Sequence, residues 1–153
     1  MTRRPDATAR SHREPSLQLI PPDPSARLVV DIGHLEPEDH ARVTFLVPFV
    51  GGFRRMFAVH WPARGVAPHL GRRPFPECWP LHPALVAELA MVERWAAAVE
   101  ANVVEGTGGP DRGYDAWSRH VMFVTVPMVQ EVARGVARSR CLHRLSPGPC
   151  PSA

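Results

Sequence analysis

The sequence contains no lysine, only two isoleucines (Ile20 and Ile32) and a single asparagine (Asn102), the imprint of GC-rich coding. All 18 of its cationic side chains are therefore arginine. A pI near 9.2 and a net charge of +3 then reflect composition before they reflect a nucleic-acid partner. Cysteine is scarce as well: Cys78, Cys141 and Cys150 are odd in number and scattered, which excludes a disulfide framework and points to reduced thiols in the cytosol. No hydrophobic run is long. The best, Val43 to Phe53, is about half the length a bilayer-spanning helix needs, and the stretch from Met1 to Ile20 has arginines but no apolar core of a secretory signal. A cytoplasmic protein without a membrane segment is expected. The sequence also lacks a nucleophile elbow, a phosphate-cradling glycine loop and a Glu/His metalloprotease helix, so no familiar catalytic class is written in it.

What is present is proline and apolar residue in quantity. The 44% apolar content of 153 residues supports one domain with a hydrophobic core. The 18 prolines are more than double the usual share of about 5% and crowd the two ends and a middle connection. The expected organisation is a disordered arm over 1–26, one mainly helical domain over 27–143, and a disordered tail over 144–153. Arg27 to Ile32 has the β-branched content of a short strand closed by Gly33.

From Glu38 to His60 two periodicities compete. Val43, Leu46, Val47, Val50, Phe53 and Phe57 form a helical stripe, whereas Val43, Phe45, Val47 and Phe49 alternate as in a strand. Length and the acidic start Pro37-Glu38-Asp39 favour a helix, kinked at Pro48; a hairpin turning at Gly51-Gly52 is the rival. Trp61 to Pro80 reads as a long Pro-rich connection pinned by Trp61, Phe75 and Trp79. Pro83 opens a helix to about Ala101, with Leu85, Leu89, Val92, Ala96 and Val99 on its core face and Trp95 flanking them. Gly106 to Gly113 reads as a loop. A last helix is expected from Tyr114 or Asp115 to Arg138, with Trp117, Val121, Val124, Met128 and Val132 inward and a kink at Pro127. The predicted class is mainly α: a kinked first helix, a long connection, an antiparallel pair of long helices and at most one short strand.

Three chemistries compete for the function. Arg54, Arg55, Arg72, Arg73, Arg134 and Arg138 form a phosphate- or partner-binding surface if the fold gathers them. Cys78 and His82, with Cys141 and His143, have the ligand types of a structural zinc site, although their spacings depart from the usual pairs. Cys78 with His82, His120 or His143 as base is the catalytic alternative. Arg119 and His120 together suit an anion, or simply cap and pair within their own turn. Trp79, Pro83, Trp95 and Trp117 are the structural anchors. The leading expectation is a non-enzymatic accessory module that binds a partner protein or nucleic acid, with no cofactor required.

Trp79 followed by His82-Pro83, a helix carrying Leu89 and Trp95, then Trp117-Ser118-Arg119-His120 and a late cysteine, resembles an uncharacterised actinobacterial domain-of-unknown-function family whose signature is Trp-Trp-x-His-Pro. Leu46-Val47-Pro48 followed by Arg54 and Arg55 looks like that family's upstream Leu-Leu-Pro helix. The likeness covers about residues 38 to 143. The chain departs from it at Pro80, where the second tryptophan would stand, at Cys78, which is out of register with the family's cysteine, and at Trp117–His120, which is one residue short. The resemblance implies a small cytoplasmic protein of plasmids and other mobile elements and favours a helix over 38–58. It transfers no catalytic residue.

Overall fold

The computed structural model describes residues 19–60, 75–105 and 110–137. Helix α1 spans Pro37–His60. Glu38 and Asp39 sit in its first turn, where they complement the positive end of the helix dipole. Val43, Leu46, Val50 and Phe53 recur at three- and four-residue steps and are all buried, so the helical period wins over the strand period. The hairpin alternative is thereby excluded: helix continues through Pro48, Gly51 and Gly52.

Glycine in a helix interior costs about 1 kcal/mol relative to alanine, so two in succession need a reason. The segment 19–35 supplies it by crossing this face of α1. A Cβ on Gly52 would lie 2.1 Å from the carbonyl oxygen of Pro21, and one on Gly51 would lie 2.6 Å from the Cβ of Ala26. The Asp23 amide donates to the Pro48 carbonyl at 2.8 Å, and the Leu19 amide donates to Glu100 Oε1 at the same distance. Leu19 and Ile20 are buried. Residues 19–26, expected to be disordered, thus belong to the packed body. The part of the arm before residue 19 lies outside the described residues, as does the tail 144–153. Residues 27–32 form no strand, and none occurs among the described residues; a lone strand has no ladder partner here, and the segment lies over α1 with Ile32 buried.

A single 3-10 turn, Trp79–Leu81, leads into α2, Pro83–Glu105. Pro83 occupies the first helical position, where its missing N–H removes nothing, and the Val86 amide donates to the His82 carbonyl. Leu85, Leu89, Val92, Ala96 and Val99 are the buried stripe of α2, as the sequence predicts. Each of the larger ones contributes roughly 1.5–3 kcal/mol by leaving water. Helix α2 packs against both α1 and the next helix, α3.

Helix α3 spans Pro110–His120, a five-residue π-turn follows at Val121–Thr125, and α4 covers Val126–Ala137. The expected loop therefore ends earlier than Gly113, because Pro110 starts α3 as Pro83 starts α2. Trp117 and Val121 are buried as expected. Beyond them Thr125, Val126, Val129 and Ala133 are buried, and Thr125, Val129 and Ala133 each fall one residue later than the predicted Val124, Met128 and Val132. The π-turn is the physical reason: its amide-to-carbonyl bond runs from Val126 back to Val121, five residues instead of four, and so inserts one extra residue. Pro127 lies immediately beyond it. Proline there has no amide to give the Phe123 carbonyl and clashes with it in an α-helix, and the widened turn accommodates both defects.

Candidate functional site

Two places gather polar side chains. The first is a cleft of about 190 Å³ between the 19–35 segment and α1, bordered by Arg27, Arg54 and Arg55. Its floor is apolar, made of Leu28, Val47, Val50 and Trp79. The glycine seam sets its depth, because the absent side chains of Gly51 and Gly52 let the segment approach α1 this closely.

Each arginine is held in place. Arg54 grips Glu77 with both terminal nitrogens, Nη1 donating to Oε2 at 3.1 Å and Nη2 to Oε1. This fork geometry is the strong form of an arginine–carboxylate pair. Arg55 Nη2 meets Asp23 Oδ2 at 2.9 Å across the seam, while the rest of Arg55 remains exposed. Arg27 Nη1 donates to the carbonyls of Pro24 and Ala26 at 3.1 and 2.8 Å. Asp23 anchors the turn, accepting the Ser25 hydroxyl at 2.6 Å and the Ser25 amide at 3.0 Å. Those two bonds, in that order, hold its carboxyl below the ordinary value; burial opposes them, and Arg55 and Arg27 add to them.

Of the six arginines singled out from the sequence, the structure brings Arg54 and Arg55 to this cleft. Arg134 is elsewhere, on α4, paired with Glu131 at 2.7 Å. Arg72, Arg73 and Arg138 lie outside the described residues. Arg27 was not singled out, since only the fold carries it from its short segment to α1.

The second place is a polar knot under the π-turn. His120 Nε2 and Thr125 Oγ1 both lie 2.7 Å from the same oxygen of Glu88, Oε1. In an α-helix, residues five apart point about 140° away from each other. The π-turn nearly superposes them, so one carboxylate of α2 serves both. An ionised Glu88 only accepts, which places the imidazole proton on Nε2 and the hydroxyl proton of Thr125 toward Glu88. Thr125 is fully buried, and the Trp95 ring lies over His120 with centroids 5.5 Å apart. Nearby, Trp117 donates its indole N–H to the Val92 carbonyl at 3.1 Å. Trp117 is buried, and Trp95 is half-buried beside His120. His120 was noted in the sequence with Arg119; its partners were not, because the signal is a register shift rather than a motif.

The four proposed zinc ligands divide. Cys78 Sγ lies 3.4 Å from His82 Nε2, so that pair meets, with Cys78 buried. Cys141 and His143 lie outside the described residues. Among the described residues no group of three or more His, Cys, Asp or Glu side chains is arranged to hold a metal ion. No helix among them is long and apolar enough to cross a membrane.

No family model matches the chain, and no curated protein or solved structure shows significant similarity to it.

Proposed function

We propose that the chain is a non-enzymatic interaction module that binds an acidic segment of a partner protein at the arginine-bordered cleft. The observation that carries this reading is the convergence of Arg27 from one segment with Arg54 and Arg55 from another on one preformed hollow. A fixed site of this kind loses little side-chain entropy on binding. A nucleic-acid surface is less well supported. Phosphate tracking needs cations spread along a groove, whereas Arg27, Arg54 and Arg55 converge on one hollow and Arg134 lies apart on α4. Burial of Cys78 away from solvent also weighs against a thiol nucleophile. The family resemblance adds a setting, an accessory protein of mobile elements.

The test is binding of a labelled Glu/Asp-rich peptide and of a mixed-sequence DNA duplex at two salt concentrations. The peptide is expected to saturate the protein, and Arg27→Glu with Arg55→Glu to abolish that binding. Unchanged binding in the double variant, or DNA binding tighter than peptide with a steep salt dependence, overturns the reading.

The contact of Cys78 with His82 favours one second reading, a structural zinc site completed by Cys141 and His143. Protein purified without chelator then carries close to one equivalent of zinc; less than about a tenth removes this reading.

A further inference from the structure

We infer that the cleft takes the C-terminal residue of the partner chain, its terminal carboxylate on Arg27 and Arg55 and its apolar side chain on Leu28 and Val47. This rests on the cleft being the partner surface, and it specifies what enters.

Donor placement is the first argument. Arg54 commits both terminal nitrogens to Glu77. Arg27 uses only Nη1 in its two bonds to backbone carbonyls, and Arg55 meets Asp23 through Nη2. A guanidinium has five N–H donors, so Arg27 and Arg55, which both line the hollow, each keep donors beyond those bonds. Two guanidinium groups flanking one small space match a single carboxylate, which accepts about four hydrogen bonds.

Charge is the second. Three arginines face Asp23 in the wall and Glu77 behind Arg54, leaving one positive charge uncompensated. That balances a carboxylate, whereas a phosphate monoester brings roughly −1.5 to −2. Size is the third. At about 190 Å³ the hollow is smaller than the ~300–1,000 Å³ usual for drug-sized ligands, and it suits one residue. The apolar floor asks for a carboxylate joined directly to an apolar body. A chain terminus ending in leucine or valine has both on one Cα, whereas an internal Asp or Glu has the charge alone.

The experiment uses the full chain and three probes: a labelled hexapeptide ending in leucine with a free carboxylate, the same peptide as its C-terminal amide, and 4-methylpentanoate as competitor. Expected results are saturable binding of the free acid, at least about tenfold weaker binding of the amide, and a similar loss in Arg55→Gln. Competition by 4-methylpentanoate at concentrations near those of the free-acid peptide shows a site for small carboxylic acids and overturns the commitment to a chain terminus. Equal binding of acid and amide overturns it too. If the internal acidic peptide still binds and still depends on Arg27 and Arg55, the interaction-module reading survives that failure. Arg55 is largely exposed, so its glutamine variant folds, and an unchanged circular dichroism spectrum verifies this.

Discussion

The arginine cleft and the π-turn knot both depend on carboxylates, and they use them in opposite ways. Asp23 and Glu77 hold arginines at a rim where guanidinium donors still face solvent. Glu88, with its side chain only 11% exposed, concentrates two donors of one helix on a single oxygen. Pairs at a wet rim contribute little to stability and preset a binding geometry. A largely buried carboxylate shared by His120 and Thr125 contributes more, because breaking it strands the fully buried Thr125 hydroxyl. On the proposed reading, binding belongs to the first region and helix register to the second.

The largest expected effect that separates them is at Glu88. Glu88→Ala leaves the Thr125 hydroxyl buried without its acceptor and is expected to cost roughly 2–4 kcal/mol in urea unfolding. Thr125→Val, which removes the donor and keeps the shape, should cost only about 1 kcal/mol. A loss in Glu88→Ala no larger than in Thr125→Val would mean the knot does not hold the π-turn.

Next is Gly52→Ala. The new methyl group meets the Pro21 carbonyl, an overpacking cost of roughly 2–3 kcal/mol, while helix propensity returns about 1 kcal/mol. The expected net loss is therefore about 1–2 kcal/mol, with weakened peptide binding because the 19–35 segment is pushed from α1. A stabilised variant with intact binding would show that the segment does not form the wall of the cleft.

The legible part of the molecule was the part governed by local period. The stripe of α2 was readable because Pro83 starts it and nothing interrupts Leu85 to Val99. Through α3 the same reasoning held as far as Val121 and then slipped by one residue at the π-turn, whose contacts with Glu88 of another helix no local period reports. Two hints were present: a threonine at Thr125 inside an apolar run, and Pro127 where an α-helix tolerates it poorly. Docking of residues 19–26 was not readable for a related reason. Pro21-Pro22-Asp23-Pro24 looks disordered by composition, and what fixes it is a pair of glycines about thirty positions later, Gly51 and Gly52, read alone as a helix weakness. At the cleft, Arg54 and Arg55 were visible as candidates, but Arg27 and Asp23 reach them only through that docking.

A smaller effect follows from Asp23. Its carboxyl titrates below the ordinary 3.8 in the folded protein, so the unfolded chain binds the proton first as pH falls. The stabilisation it gives is complete above that ordinary value and is lost as pH drops through the lower, folded one. Protection of the Asp23 amide against hydrogen exchange, corrected for intrinsic rates, should stay flat down to pH of about 5 and fall only in stronger acid. A decline between about pH 7 and 5 would show that another group controls the docking.

The central claim is that binding resides in the cleft and not at the π-turn. Its most direct test is a map of backbone amide shifts during titration with the leucine-terminated peptide. The account predicts that the perturbed amides cluster over 23–28 and 47–55 while those of 119–126 stay in place; clustering over 119–126, or no saturable change at the cleft, would contradict it.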